Sequence, residues 1–355
     1  MRNKIITLLI IPLTLLMLSC GGNSDKKEEK SKGEITPGKA DSTALVVTSI
    51  DESEKDKSYN FSYKFKKGES FKVNFTTYSN TKRDVVTDTT FTNLFHQVIN
   101  RTLDINTIKT NDDSSAEVQF TMVAANIDAD VDGEKISYTA GNISDSTDMQ
   151  KFYQYEAMLN NPFSAKINKR GEVLEIYNID NIIDKMIELS GYKDSIKTND
   201  RKMLLEDRKK NLLFPLVTQV IHQIPGKELK INSEWKKEPE TIPFMIFKIT
   251  FKDQFKVKNI SRLGNDKIAE ITASVRAFST GDTTFSNKGV TYRFKNPFVT
   301  AKDDFYFNLD KGFLQKSIVE KTIRIVYSMT VPSPAGLKKG NATEIVSNKN
   351  VVELL

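Results

Sequence analysis

The sequence predicts an α+β fold that is mainly antiparallel β, with two related curved β-sheet modules, 58–177 and 227–355, joined and covered by a central helical segment, 178–226. Three observations carry this prediction. Apolar and polar residues alternate with period two on both flanks, helical spacing is confined to the middle, and one hairpin pattern occurs in each flank.

The chain opens with Arg2 and Lys4, an apolar run from Ile5 to Leu18, and then Ser19-Cys20-Gly21-Gly22. A basic start, a short apolar stretch and a small residue before the cut make a secretory signal over 1–19, too short to remain as a membrane span. Residues 20–57 are rich in Lys, Glu, Ser and Gly and read as a flexible tether, reaching roughly 35 Å on average.

From Tyr59 the period changes. Phe61, Tyr63 and Phe65 alternate with polar residues, a turn follows at Lys67-Gly68-Glu69, and Phe71, Val73 and Phe75 alternate again. That is sheet with one face buried. Further strands are expected over Phe95–Thr110, Ala116–Ala125 and Glu134–Thr139, with a short helix near Asp148–Leu159. Asp128, Asp130 and Asp132 followed by Gly133 resemble the first half of a calcium loop. The twelfth position is Thr139 and the flanks read as strands, so an Asp-Gly hairpin turn is the simpler reading.

The recurring hairpin comes next. Asn161-Pro162-Phe163 leads into a strand, a polar turn with Gly171 and a returning strand; Asn296-Pro297-Phe298 leads into the same sequence of features around Gly312. Upstream, Asn111-Asp112 before Ala116-Glu117-Val118 echoes Asn265-Asp266 before Ala269-Glu270-Ile271. Two copies separated by loop insertions are expected.

In the helical segment Ile182, Ile183, Met186 and Ile187 share one helix face, and Gly191 is placed to end that helix. A second helix is expected to start near Asn199 or Asp200. Leu212, Leu213, Leu216, Val217, Val220 and Ile221 continue the pattern, which Pro215 should kink or restart. Pro225-Gly226 ends the segment. A helical layer packed on a sheet is favoured over a mobile lid. Beyond it, Met245, Phe247, Ile249, Phe251, Phe255 and Val257 share one face of a long strand, and Val319, Ile323, Ile325 and Tyr327 share one face of another. Strands of that length bend, which predicts a curved sheet or open barrel around the helices.

Two resemblances add to this reading. Met17-Leu18-Ser19-Cys20 resembles the bacterial lipobox, which implies an acylated Cys20 as the lipid anchor of an outer-membrane lipoprotein facing the periplasm or the cell surface. Ser24-Asp25-Lys26-Lys27-Glu28-Glu29 is loosely similar to acidic export signals of Bacteroidota surface lipoproteins. Pro225-Gly226-Lys227-Glu228-Leu229 and Asn232-Ser233-Glu234-Trp235, with the Phe163–Ile176 hairpin, resemble elements of an uncharacterised family of secreted bacterial lipoproteins, many from Bacteroidota. Asn232 stands where that family usually has glycine. The resemblance implies location and architecture and brings no activity; Trp235 is expected to be a core anchor.

The remaining chemistry narrows the function. Cys20 is the only cysteine, and His96 and His222, set in a strand and a helix pattern, are the only histidines, so the usual zinc sets cannot form. No nucleophile elbow and no phosphate-cradling glycine loop occurs. With 52 Lys and Arg against 46 Asp and Glu, the net charge of +6 argues for no nucleic-acid stripe. Lys, Asp and Asn on the outward strand faces exclude a membrane barrel. The expectation is a non-catalytic binding module without cofactor, its ligand apolar and its partner the membrane through Cys20; a structural or assembly partner of the envelope without a cavity is the alternative.

Overall fold

The computed structural model describes residues 45–142, 146–193, 195–287, 289–333 and 336–355. Cys20 and the predicted signal lie outside them. The described residues form one compact unit. The elements of the N-terminal flank are β1 (Thr48–Ser49), α1 (Glu52–Lys55), β2 (Tyr59–Phe61), β3 (Ser70–Val86), β4 (Thr90–Thr110), β5 (Ala116–Val131), β6 (Glu134–Thr139), α2 (Ser146–Met158), β7 (Phe163–Ile167) and β8 (Val173–Tyr177). The middle holds α3 (Asp180–Leu189), α4 (Thr198–Arg208), one π turn (Lys209–Leu213) and α5 (Phe214–Val220). Then follow β9 (Lys227–Leu229), β10 (Glu234–Lys236), β11 (Glu240–Phe244), β12 (Phe247–Leu263), β13 (Asp266–Gly281), β14 (Thr284–Asn287), β15 (Val290–Phe294), β16 (Phe298–Asn308), β17 (Phe313–Ser333) and β18 (Gly336–Leu354).

The protein is mainly antiparallel β with a central helical segment, as the alternation predicts, but the two flanks do not make two sheets. One sheet runs β1-β12-β13-β16-β17-β18-β3-β4-β5-β7-β8. The seam is β18 against β3, in register from Asn341↔Val86 to Leu354↔Val73. Both strands carry half-buried alternating faces with nothing in the local sequence to name a partner, so the long-range pairing joins what the flanking patterns suggested were separate sheets. The hairpins around Gly171 and Gly312 are β7–β8 and β16–β17, and both flanks repeat one pairing order, hairpin β4–β5 to β7–β8 and hairpin β12–β13 to β16–β17.

The sheet curls, and the segment Phe61–Lys64 shows how far. Tyr63 N–H donates to Lys169 O in the β7–β8 turn at 2.9 Å, and Lys64 N–H donates to Gly312 O in the β16–β17 turn at 3.1 Å. Those turns belong to strands five steps apart along the sheet, about 24 Å if it were flat. Neighbouring residues can hold both only if the sheet bends round to bring the turns together. Tyr63 fills the gap: its ring meets Phe65, Phe307 and Phe313, and its hydroxyl donates to His222 O at 2.9 Å. The alternation from Tyr59 to Phe65 was expected to continue as a strand hairpinned to Phe71–Phe75; β2 instead pairs with β9. Phe61 and Tyr63 are buried by this bridging role.

The helices occupy one end of the concave side. Ile182, Ile183, Met186, Leu213, Val217 and Val220 are buried in one apolar cluster with residues of β3–β5, β7, β12, β13 and β16–β18. This is a packed layer. Gly191, at φ +75°, ends α3 with Tyr192 N–H on Ile187 O and Gly191 N–H on Glu188 O, the αL cap its position predicts. α4 starts one or two residues earlier than expected, with Lys197 at its N-cap. The helix restarts at Pro215, one of the two outcomes expected, with α5 beginning at Phe214 after the π turn. Pro215 lies in the first turn of α5, and the π turn before it absorbs the lost hydrogen bond.

One further expectation changes. Leu45–Lys57, taken as tether, is partly built into the body: β1 pairs with β12, Ile50 is buried, and Glu54 pairs with Arg262 at 2.7 Å. Asn232 adopts φ +68°, a backbone state that asparagine tolerates better than most side chains, so replacing glycine there keeps the turn before Trp235. Trp235 stacks on Phe255 at 5.3 Å and packs against the main cluster, as an anchor should.

Candidate functional site

The concave face continues past the helices, and strand parity decides what lines it. In β16, Phe305 points into the helical cluster, so Asp303, Ala301 and Val299 face the same side. Register then carries the row outward: Asp303 lies beside Ala273 and Val319, and Val319 beside Asn350. The next row has Ala301, Lys321 and Asn348 side by side. Beyond these comes a second apolar cluster with Val85, Phe247, Phe294, Ile325 and Tyr327. Between the two clusters lies a polar belt.

The belt meets the helices at His222. This residue was expected in a helix pattern, but α5 ends at Val220 and the chain turns extended at Ile221. The His222 ring is buried, 4.9 Å from the ring of Phe305, and its Nε2 has no hydrogen-bond partner among the described residues. Burial, then the neighbouring Lys237 charge, push its pKa down to about 4, so the ring is neutral at neutral pH. Two residues along the strand from Phe305, the Asp303 carboxyl is pushed up to about 7 by burial and then by the Asp253 charge, with Lys321 opposing. Burial also raises Asp253, against the pull of Lys237 and Lys321. Lys321 Nζ lies 4.6 Å from the centre of the Phe251 ring. Asp303 Oδ1 and Asn350 Oδ1 are buried acceptors without partners among the described residues. Buried polar atoms of that kind are rare and mark places where water or a ligand completes the bonding.

These two titrations act on stability in opposite directions across one pH window. Asp303 binds its proton more tightly folded than unfolded, so its contribution is full below about pH 4 and is lost as pH rises towards 7. His222 binds its proton less tightly folded, so its contribution is full above about pH 6.5 and is lost as pH falls towards 4. Relative to wild type, Asp303→Asn should gain stability steadily between pH 4 and 7. His222→Phe should gain steadily as pH falls from 6.5 to 4. Urea midpoints at several pH values check both, and a pH-independent difference in either variant would contradict the assignment.

The remaining singled-out residues lie apart from the belt. His96 is on β4 and bonds Asn80 at 2.5 Å. Asp128, Asp130 and Asp132 do not converge: Asp128 accepts from Ser137, Asp130 from Gly133 N–H, and Asp132 from Leu94 N–H and Asn93. Asp132 and Gly133 have φ +53° and +93°, the turn of a tight hairpin. Sequence reasoning missed Arg208, which is 2% exposed beside the π turn, its Nη2 3.3 Å from Tyr153 Oη and its Nε without a hydrogen-bond partner among the described residues. It missed Asp303 as well, although parity with Phe305 was a usable signal.

A model of a protein family of unknown function, DUF6263, matches residues 113–314, more than half of the chain. The chain belongs to that family. The matched span of this DUF6263 member runs from the β4–β5 turn to the start of β17 and includes the whole helical segment. No curated protein matches. Among solved structures, lipovitellin, described for its lipid–protein interactions, is similar at 10% identity and TM-score 0.39, over 82% of this chain. The DUF6263 chain spans about a quarter of the lipovitellin chain, 25%. The Pseudomonas aeruginosa protein OccK2, solved with glucuronate, is similar at 6% identity and TM-score 0.20, over 81% of this chain and 97% of its own. A DUF1329 family protein from Desulfovibrio piger follows at 5% identity and TM-score 0.11, over 77% and 83%.

Proposed function

We propose that this protein is a non-catalytic binding module, held at the outer membrane by acyl chains on Cys20, that takes an amphipathic ligand against its concave face. The observation carrying the reading is the pair of unpartnered acceptors, Asp303 Oδ1 and Asn350 Oδ1, between two apolar clusters. A ligand hydroxyl or amine would donate to them. Its apolar part would lie on the half-buried Val299 and Ile323, where each buried methylene contributes ~0.8 kcal/mol. Tight packing of α3 and α5 supports a ligand beyond the helices, not beneath them. The repeated pairing order of the two hairpin pairs supports two copies of an ancestral unit merged into one sheet.

Native mass spectrometry of the chain purified from membranes tests the reading. The expected result is covalent acyl mass on Cys20 together with a non-covalent ligand, which Asp303→Ala releases while the melting curve stays cooperative. A chain that remains empty after incubation with envelope lipid extract would overturn the binding role and favour a structural partner of the envelope.

A further inference from the structure

The convex side of the same sheet carries a different feature. β15 and β16 both pair with β17, β15 at Tyr327–Thr330 and β16 at Phe313–Arg324. The bend at Lys295-Asn296-Pro297 crosses between them, tied by Lys295 N–H to Val326 O at 2.8 Å. A cavity of about 610 Å³ opens beside this bend. Parity assigns its face. Tyr327, Ala342 and Val85 turn into the distal apolar cluster, so Ser328, Asn341 and Val86 turn the other way.

The cavity is lined by Arg293, Lys295 and Arg324, three exposed residues whose charged side chains make no ion pair or hydrogen bond among the described residues. Its single acid, Asp84, is already engaged by Lys82 at 3.2 Å and the Thr92 hydroxyl at 2.7 Å. Ser328, Asn341 and Thr343 add neutral donors. Three cations from two strands, Arg293 and Lys295 on β15 and its following bend and Arg324 on β17, converge on one concavity whose carboxylate is already paired, and leave a surplus of donors and positive charge. From this we infer that the cleft is an anion site for a phosphate group. Two arginines offer forked donors that match phosphate oxygens, and a lysine adds a point charge. Phe298, paired directly opposite Arg324 and 66% exposed, gives the rim an apolar neighbour. The phosphate can therefore belong to a soluble phosphoester or to a phospholipid headgroup. This site is on the opposite face from Asp303 and stands independently of the ligand proposed there.

The full chain carrying Cys20→Ala, free of its own acyl anchor, is titrated with inorganic pyrophosphate and with glucose 6-phosphate. In parallel it is sedimented with phosphatidylcholine vesicles with or without phosphatidylglycerol. Binding is expected to at least one phosphate-bearing probe, weakening as salt rises, and to fall at least tenfold in Arg293→Gln/Arg324→Gln. Since both side chains are exposed, that variant should keep its melting temperature. Binding to the soluble phosphates identifies a phosphoester site, and binding only to phosphatidylglycerol vesicles identifies a headgroup site. No binding to any probe, or binding unchanged in the double variant, overturns the proposal.

Discussion

Val217→Asp is expected to unfold the whole body in a single step, lowering the melting temperature by more than ten degrees or leaving the chain insoluble. Val217 is 0% exposed in α5 and belongs to a cluster that joins Leu103, Val118 and Ile167 of one flank with Val257, Ile271 and Phe305 of the other. A carboxylate there has no partner to replace water, and burying an unpaired charge costs several kcal/mol. The total stability of a domain is only about 5–15 kcal/mol. Because both flanks touch α5 and share one sheet, neither can keep its core when the helix is expelled. Calorimetry decides the matter: two resolved transitions, of which the substitution moves only one, would show the flanks to be independent.

The second large effect concerns the turns that hold Phe61–Lys64. Gly171 has φ +75°, and a Cβ there would lie 2.5 Å from His222 O and from Tyr63 Cε2. At Gly312, φ +64°, it would lie 2.6 Å from the Lys64 backbone nitrogen. Alanine at either position therefore meets two penalties, ~1–2 kcal/mol for the left-handed backbone and the displacement of a backbone it cannot avoid. Each single substitution is expected to cost about 3 kcal/mol or more, in the range reserved for backbone and core disruption. Both turns grip one segment, so once it is displaced the second substitution has less left to disrupt. The double variant should lose clearly less than the sum. Urea unfolding of the two singles and the double measures this, and strict additivity would mean that the two turns do not share a common element.

Much of this arrangement was legible in the residues and some of it was not. The α3 stripe, the Gly191 stop and the hairpins at Gly171 and Gly312 are local signals, each written within a dozen residues. The seam between β18 and β3 has no such signal, because backbone hydrogen bonding carries no residue code and any half-buried alternating strand fits any other. The same limit hid the candidate site. Ala301-Lys302-Asp303-Asp304 reads as an ordinary polar strand, and only its position two residues before Phe305 distinguishes an inward aspartate from an outward one. Arg208 was hidden for another reason. It follows the charged run of α4, and a π turn rotates the helix register just beyond it, so extrapolating an α-helical face gives no warning of a buried guanidinium.

The seam between β3 and β18 also sets an order in time. Leu354 registers with Val73, and Asn341 with Val86, so one edge of β3 has no lasting partner until β18 has left the machinery that makes or exports the chain. Through that interval β3 and β4 can pair with each other while the outer edge of β3 offers a row of free amides and carbonyls. Contacts spanning so much chain form slowly. A cell making this protein must therefore shelter a half-built sheet for longer than its helices need to form, and substitutions in β18 should lower yield before they lower the stability of molecules that have already folded.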